Sequence, residues 1–222
     1  LLRGGGIVLT LALPTGRSLE ACTALLLEGG LPAEPLLRPG RNLEFRCGDF
    51  RYLLAKPTDV PTLVHYGAAD LGFGGTDVIV ESGAELLELL DTGEGRCRMA
   101  VAGPPALAER FCGHESERMG LRVATKYPRT AEREFALRGI QVRTVPLHGS
   151  VEIAPALGIA DCILDIVQTG TTLKANGLVV LEEFFPVSLR LVSSLAASQL
   201  AWEALEDVTE RIARACERRR RP

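Results

Sequence analysis

The sequence predicts an α/β protein of two lobes, each built on a mostly parallel sheet with flanking helices. Three observations carry this prediction. Short apolar β-like runs alternate with helix-like runs along most of the chain, the pattern of βαβ units. Thr92-Gly93-Glu94-Gly95 interrupts the alternation with a turn-rich break. An Asn176-Gly177 turn then sends a strand back. The lobes are therefore expected to be discontinuous, with residues 1–94 and 178–222 forming the first and residues 95–177 the second. A chain of 222 residues is long enough to bury two cores.

Taken in order, Ile7–Leu13 reads as a first strand ended by Pro14, and Ser18 as the cap of a helix through Glu28 that stops at Gly29-Gly30. Arg51–Ala55 is a second strand. Val60–Gly67 is a short helix entered by Asp59, with Pro61 at a tolerated early position. Asp70–Phe73 is a strand leading into Gly74-Gly75-Thr76-Asp77, and Val78–Leu90 reads as one or two helical pieces. Beyond the break, Cys97–Ala102 is a strand, Ala106–Phe111 a helical turn and Gly113–Gly120 a loop. Leu121–Thr125 and Ile140–Val145 are strands around a helix over Thr130–Arg138. Ser150 opens a short helix through Leu157. Cys162–Val167 is a strand, and Val179–Phe184 returns. Ala201, Leu205, Val208, Ile212 and Ala215 recur at helical spacing, so Ala196–Arg218 is expected as one amphipathic helix.

Composition excludes several functions. A net charge of -3 and few aromatics argue against nucleic-acid binding. Leu1–Leu13 is apolar but broken by Gly4-Gly5-Gly6, lacks a small-residue cleavage site and is too short to span a bilayer. It reads as an exposed tip and a first strand, with no membrane partner. Six cysteines without a C-x-x-C pair, mostly in apolar runs, fit reduced thiols in a cytoplasm. His65, His114 and His148 have no metal-ligand spacing. Arg218–Arg221 at a helix C-terminus suits the helix dipole, with a polyanion patch as the alternative.

The stretch "DCILDIVQTGTTLKANGL", Asp161 to Leu178, carries the clearest chemistry. A buried parallel strand containing one acid, Asp165, ends in Thr169-Gly170-Thr171-Thr172, and ligands of α/β sheets gather at such carboxyl ends. Gly170 lets the backbone approach a ligand. Successive amides in such a turn make an anion-binding concavity. The threonines add hydroxyl donors, and a helical turn from Thr172 adds a positive dipole end. That set suits a phosphate monoester. Asp165 does not suit a phosphate, but it does suit the neighbouring hydroxyls of a sugar. Phosphate beside vicinal hydroxyls describes a ribose 5-phosphate. An ordinary Thr-Gly turn after a strand is the plain alternative.

The common phosphoribosyltransferases carry a similar arrangement with two acids before T-G-x-T. Here Asp165 is flanked by Leu164 and Ile166, which suggests the same ligand on a different fold. "VEIAPALGIADCILDIVQTGTTLKANGL" resembles the signature of the ATP phosphoribosyltransferase family, the first enzymes of histidine biosynthesis. "LALPTGRSLE" resembles that family's opening L-P-K-G-R segment. "AKPTDVPTLVHYGAADLGFGGTDVIVE" and "RVATKYPRTAEREFALRGIQVRTVPLHGSVEIAP" resemble its following blocks, so the likeness spans most of residues 7–183 in order. The resemblance implies a two-lobed fold like the type II periplasmic binding proteins, with the nucleotide side in the first lobe and the phosphoribosyl pyrophosphate loop in the second. It implies transfer of phosphoribosyl from phosphoribosyl pyrophosphate to N1 of ATP, with Mg²⁺ and release of pyrophosphate. One helix after the last strand resembles the family's short form. The short form implies a regulatory subunit similar to histidyl-tRNA synthetase, inhibition by histidine through that complex, and a homodimer within a hetero-oligomer.

The reaction needs cations more than a strong base, because adenine N1 already has a lone pair and the departing pyrophosphate is the difficult group. Closure of two lobes is expected to align N1 with the anomeric carbon. Arg17, after the first strand, matches the family's G-R pair by resemblance, and is either a phosphate ligand or an exposed loop arginine. Thr15 stands where the family usually has lysine, which removes one cation. Lys56, after the second strand, is placed to hold pyrophosphate or triphosphate, or is simply solvated. Asp77 either accepts from an adenine amino group or ribose hydroxyl, or serves as an early helix acid. Glu152 faces the same two readings, and the resemblance favours a ligand role. Thr169, Gly170, Thr171, Thr172 and Asp165 complete the set; no residue is assigned to the metal. Two other functions fit the same pattern: a non-catalytic solute-binding module, and a phosphoribosyltransferase for another base.

Overall fold

The computed structural model describes residues 9–220. The expected N-terminal tip, Ile7–Val8 of the first strand, and Arg221 lie outside the described residues. Two compact units are present, Leu1–Gly95 with Ser188–Pro222, and Arg96–Val187.

The chain runs β1 (Leu9–Pro14), α1 (Arg17–Glu28), a 3₁₀ turn at Glu34–Leu37, β2 (Glu44–Cys47), β3 (Phe50–Ala55), α2 (Val60–His65), β4 (Leu71–Gly75), α3 (Thr76–Ser82) and β5 (Leu86–Asp91). The second unit holds β6 (Cys97–Gly103), α4 (Ala108–Cys112), β7 (Arg122–Thr125), α5 (Pro128–Leu137), β8 (Arg143–Pro146), a 3₁₀ turn at Val151–Ile153, β9 (Cys162–Val167), α6 (Thr171–Ala175) and β10 (Val179–Val187). The first unit resumes with β11 (Leu189–Ser194), α7 (Leu195–Leu200) and α8 (Trp202–Arg220).

Both sheets are mixed, with a parallel trio at the centre of one and towards one side of the other. The first runs β2-β3-β1-β4-β11-β5, where β3, β1 and β4 are parallel and the rest pair antiparallel. The second runs β10-β6-β9-β7-β8, where β9, β7 and β8 are parallel. The expectation of mostly parallel sheets is corrected by strands that local pattern does not reveal. Leu86–Asp91, expected as part of a helical stretch, is a strand because β11, about a hundred positions later, supplies its partner. β2 and β11 were also not legible. The chain re-enters the first unit at Ser188 rather than at 178, because β10 stays antiparallel to β6.

In the first unit α1 and α8 cover one face. Cys22, Leu25 and Leu26 meet Leu205, Val208, Ile212 and Ala215 over Leu11, Leu13, Tyr52 and Phe73. The expected stripe of α8 is therefore the buried one, at about 1.5–3 kcal/mol for each large side chain. The helix is broken from α7 at Ala201, and Ser194 caps α7 by accepting from the Ala197 N–H at 3.0 Å. Ser18 does not cap α1; Gly16 holds that position and the helix begins at Arg17. Arg218 and Arg219 bind the Glu28 end of α1, and Arg219 also reaches Glu94 at 2.9 Å. This argues against a free polyanion patch.

On the opposite face α2 packs Val60 and Val64 against Ala12 and Ala69. Gly72 of β4 permits this approach. A Cβ there would sit 2.6 Å from Val64 Cγ2 and 2.9 Å from Val60 Cγ1. The six cysteines are free, and burial pushes the Cys162 thiol up to about 12, the behaviour of inert core groups. Among the described residues no helix is long and apolar enough to cross a membrane.

Gly72→Ala is expected to destabilise the first unit by about 1–3 kcal/mol, because α2 must move. Thermal melting checks it: a fall of roughly 2–4 °C per kcal/mol is expected, and an unchanged melting temperature contradicts the packing described.

Candidate functional site

In the first unit the sequence-chosen residues share one end of the parallel trio. Pro14 of β1 aligns with Ala55 of β3, and the Thr15 N–H extends the ladder by donating to the Ala55 carbonyl at 2.8 Å. The short link to Arg17, the first residue of α1, and the loop carrying Lys56 therefore leave side by side. Both side chains are exposed. The trio grows to one side of β1 through α1 and to the other through α2. This makes the end of β1 a topological switch point, where open α/β sheets bind ligands.

Asp77 lies at the end of the third strand, β4, but is only 8% exposed. Its Oδ1 stands 2.2 Å from where a Cβ of Gly75 would be, so the carboxylate is folded back over the helix start. That placement matches the helix-acid reading of Asp77.

In the second unit Asp165, Glu152 and Thr169–Thr172 gather at the carboxyl ends of β9 and β8. Strand alternation puts Asp165 on the face of Ile163 and Val167, opposite Ala100 of β6. It is 7% exposed. The Ile166 N–H donates to its Oδ1 at 2.9 Å, and Lys126 Nζ lies 3.7 Å from its Oδ2. Burial pushes the carboxyl above the usual aspartate range. Lys126 and the Ile166 N–H pull it back, and the charge of Glu152 pushes the same way as burial.

Lys126 was not singled out from sequence. β7 pairs Thr125 with Leu164, and one more step of that register sets Lys126 beside Asp165. The fully buried Thr125 fixes the turn. Its hydroxyl donates to the Leu164 carbonyl at 2.7 Å and accepts from the Tyr127 N–H at 2.9 Å. The available signal was a lysine directly after a predicted strand, the same signal that picked out Lys56.

Thr169, Thr171 and Thr172 are exposed, and Gly170 sits at φ 76 in the left-handed region. Thr169 and Thr171 hydroxyls lie 3.0 Å apart, and the Thr171 N–H points at Thr169 Oγ1 from 3.5 Å. The turn and the first residues of α6 thus carry exposed threonine side chains. Glu152 is half-buried in its 3₁₀ turn. The longer helix expected from Ser150 is absent. Ser150 has φ 48, the one non-glycine residue at positive φ among the described residues, and its side chain makes no cap. Such a conformation stores strain in the loop after β8.

Among the described residues no group of three or more His, Cys, Asp or Glu could hold a metal ion. A dedicated protein cage for Mg²⁺ therefore does not fit these residues. Magnesium bound through substrate phosphates and water needs at most one or two carboxylates.

The pattern of the HisG family, ATP phosphoribosyltransferase, matches residues 56–214. The ATP phosphoribosyltransferase of Symbiobacterium thermophilum is 45% identical over 215 residues, covering 95% of this chain and 96% of that protein. That of Moorella thermoacetica is 43% identical over 213 residues, covering 94% and 93%. The fold matches a chain of the ATP phosphoribosyl transferase (HisG:HisZ) complex from Thermotoga maritima with a TM-score of 0.80, at 32% identity and coverage of 95% and 99%. It also matches the periplasmic aliphatic sulphonate binding protein SsuA of Escherichia coli with a TM-score of 0.58, at 10% identity and coverage of 96% and 73%. The SsuA likeness bears on the fold alone.

The raised pKa of Asp165 has a definite consequence for stability. A carboxyl whose folded pKa exceeds its unfolded value stabilises the fold at low pH and loses that contribution as pH rises through the folded pKa. Asp165→Asn stays neutral throughout. Its melting temperature is expected to equal or exceed the parent's at neutral pH, with the difference closing towards about pH 4. Melting curves across that range check it; a variant less stable at neutral than at acidic pH, relative to the parent, overturns the sign.

Proposed function

This chain belongs to the ATP phosphoribosyltransferase family, and from that premise we propose how its residues divide the work of the reaction. The enzyme transfers the phosphoribosyl group of phosphoribosyl pyrophosphate to ATP, the first step of histidine biosynthesis. We assign the acceptor atom as adenine N1, with pyrophosphate leaving.

The observation that carries the assignment is the pairing of an exposed Thr169–Thr172 turn with the buried acid Asp165 on the strand that feeds it. The turn's amides and hydroxyls receive the 5-phosphate, and Asp165 accepts hydrogen bonds from the ribose hydroxyls. Glu152, close enough to Asp165 to act on its charge, is a second acceptor for the sugar. In the first unit, Arg17 and Lys56 supply positive charge to pyrophosphate or triphosphate oxygens. Exposed guanidinium and ammonium groups at strand ends suit polyanions. Asp77 is assigned to the start of α3, because its carboxylate is already folded over Gly75.

No residue here needs to remove a proton from N1. The electron pair on N1 forms the new bond to the anomeric carbon, and the bond to the pyrophosphate oxygen breaks with its electrons. The protein's part is to stabilise developing negative charge on the leaving group and to hold the ribose in register. Magnesium, if carried by the substrate, would supply further positive charge to the leaving group; no residue of this chain is assigned to it, and Arg17 and Lys56 supply the protein's own share. A non-catalytic solute-binding role is not favoured, since family membership carries an enzyme name and SsuA shares only the fold.

We extend to this chain the partner named in the Thermotoga maritima complex, a HisZ-type regulatory subunit, with the catalytic chains forming a homodimer inside the hetero-oligomer. The six free thiols fit a cytoplasmic setting.

Incubation with ATP, phosphoribosyl pyrophosphate and magnesium, with the regulatory subunit supplied, is expected to yield phosphoribosyl-ATP and pyrophosphate. Asp165→Asn and Thr172→Ala are each expected to weaken phosphoribosyl pyrophosphate binding about tenfold or more by calorimetry. Parental affinity in both sinks the turn as the site. Lys56→Ala is expected to lower kcat by roughly a hundredfold. An unchanged kcat with a raised KM would make Lys56 a binding contact only.

A further inference from the structure

We propose that Lys126 is a positioning residue for ribose recognition, which from the end of β7 holds the Asp165 carboxylate charged and aimed at the sugar hydroxyls. This rests on the ribose reading of Asp165 given above and adds to it a residue that neither the sequence pattern nor the family likeness picked out.

The geometry carries the inference. Two features converge on one backbone position. The β7–β9 register ends at Thr125 and Leu164, so the next residues, Lys126 and Asp165, are set as neighbours. The Thr125 hydroxyl then locks that end, donating to β9 at Leu164 and accepting from Tyr127 on the far side of Lys126. Lys126 is thereby held on both sides by a buried threonine bridging two strands. Its flexible stem remains partly exposed, at 38%, while its ammonium reaches 3.7 Å from Asp165 Oδ2.

Asp165 needs such a neighbour. It is 7% exposed, and the residues around it on that face include Ala100, Ala102 and Ala124, which offer no hydrogen bonds from their side chains. An acid so placed drifts towards its neutral form. A protonated carboxyl keeps one acceptor oxygen but turns the other into a donor, so it grips a vicinal diol less well. Glu152 makes matters worse, since its charge also disfavours a second anion nearby. The charged groups that act on Asp165 are thus Lys126 in its favour and Glu152 against it. Only the lysine, helped by the Ile166 N–H, works to keep it ionised.

The alternative is that Lys126 grips a phosphate directly and touches Asp165 incidentally. The two roles differ in how they couple. A lysine acting through Asp165 has nothing to act on once that residue is neutral. A lysine acting on phosphate loses its full worth in either background.

The experiment is calorimetric titration of phosphoribosyl pyrophosphate, with magnesium, into the full chain between about pH 5.5 and 8.5. The proteins are the parent, Lys126→Met, Lys126→Arg, Asp165→Asn and the Lys126→Met/Asp165→Asn double variant. The substrate's own phosphates titrate near pH 6 in every protein, so the variants are compared with one another. Lys126→Met is expected to bind about tenfold more weakly at neutral pH. Its loss of affinity on the acid side should begin at higher pH than in the parent. Lys126→Arg should restore both, and Lys126→Met should cost little further affinity in the Asp165→Asn background. Melting curves of each variant separate binding loss from unfolding, and Lys126→Arg preserves charge and stem should the methionine variant fold poorly. Equal losses from Lys126→Met in both backgrounds, with an unmoved acid limb, overturn the proposal in favour of direct phosphate contact. Parental affinity in Asp165→Asn would instead bring down the ribose reading, and this inference with it.

Discussion

A carboxylate kept out of water has to be kept ionised by its neighbours, and the second unit is organised around that constraint. Asp165 sits near the end of β9 on an apolar face that includes Ala100, Ala102 and Ala124, so few groups there can solvate it. Replacing it with a neutral isostere removes a burden on folding, yet the position loses its charge as a hydrogen-bond acceptor. An acid at such a position fits the binding role proposed for Asp165 better than a role in stability. The supporting parts follow from the same need. Thr125 is buried and fully bonded so that β7 cannot slide against β9. Lys126, though partly in solvent, keeps its ammonium 3.7 Å from Asp165 Oδ2.

On the proposed assignment, the two units would handle anions by different physics. The first offers cations on long side chains, Arg17 and Lys56, at the ends of adjacent parallel strands. Full charges on flexible stems follow a polyanion whose geometry changes as a bond breaks. The second offers neutral hydroxyls and amides in a short turn, fixed by Gly170 and by the Thr169–Thr171 contact. Fixed dipoles suit a phosphate monoester that stays intact throughout the reaction, because they need no rearrangement as charge moves elsewhere. The acid pair Asp165 and Glu152 would repel a phosphate placed on top of them, and so would help confine it to the turn.

Much of this was legible in the sequence where the signal was local. The βαβ alternation, the glycine break before Arg96, the α8 stripe and the strand-then-turn at Asp161–Leu178 are all read within short windows. What failed needed a distant partner. Leu86–Asp91 is a run of leucines and acids with helical propensity, and only β11 makes it a strand. The cap at Ser150 was read from residue type alone. Ser150 has a left-handed backbone, and its side chain makes no cap hydrogen bond. Lys126 carried only the weak signal of a lysine after a strand, because the role proposed for it depends on Asp165, 39 positions away and brought close only by strand register. Asp77 was visible, but the sequence could not say which way its carboxylate would turn.

The antiparallel strands missing from the sequence reading explain how one unit can be inserted into another. The chain leaves the first unit just after β5 and returns just before β11, and these two strands are neighbours in one sheet. Exit and return are tied together. The Thr92 N–H donates to the Leu189 carbonyl at 3.1 Å, the Leu189 N–H donates to the Glu94 carbonyl at 2.9 Å, and the Ser188 hydroxyl donates to Asp91 at 2.7 Å. Arg190 adds ion pairs to Glu88 and Asp91. Arg219 and Arg220 reach the same segment from the end of α8, through Glu94 and the Asp91 carbonyl. Arg219 and Arg220 of the basic run are therefore part of this tie. Bonding the two ends at one place lets the first sheet close as though the intervening residues were a single long loop. The parallel trio of each unit can then form around its own core, which is why the switch point at β1 and the turn after β9 are each built from a separate stretch of sequence.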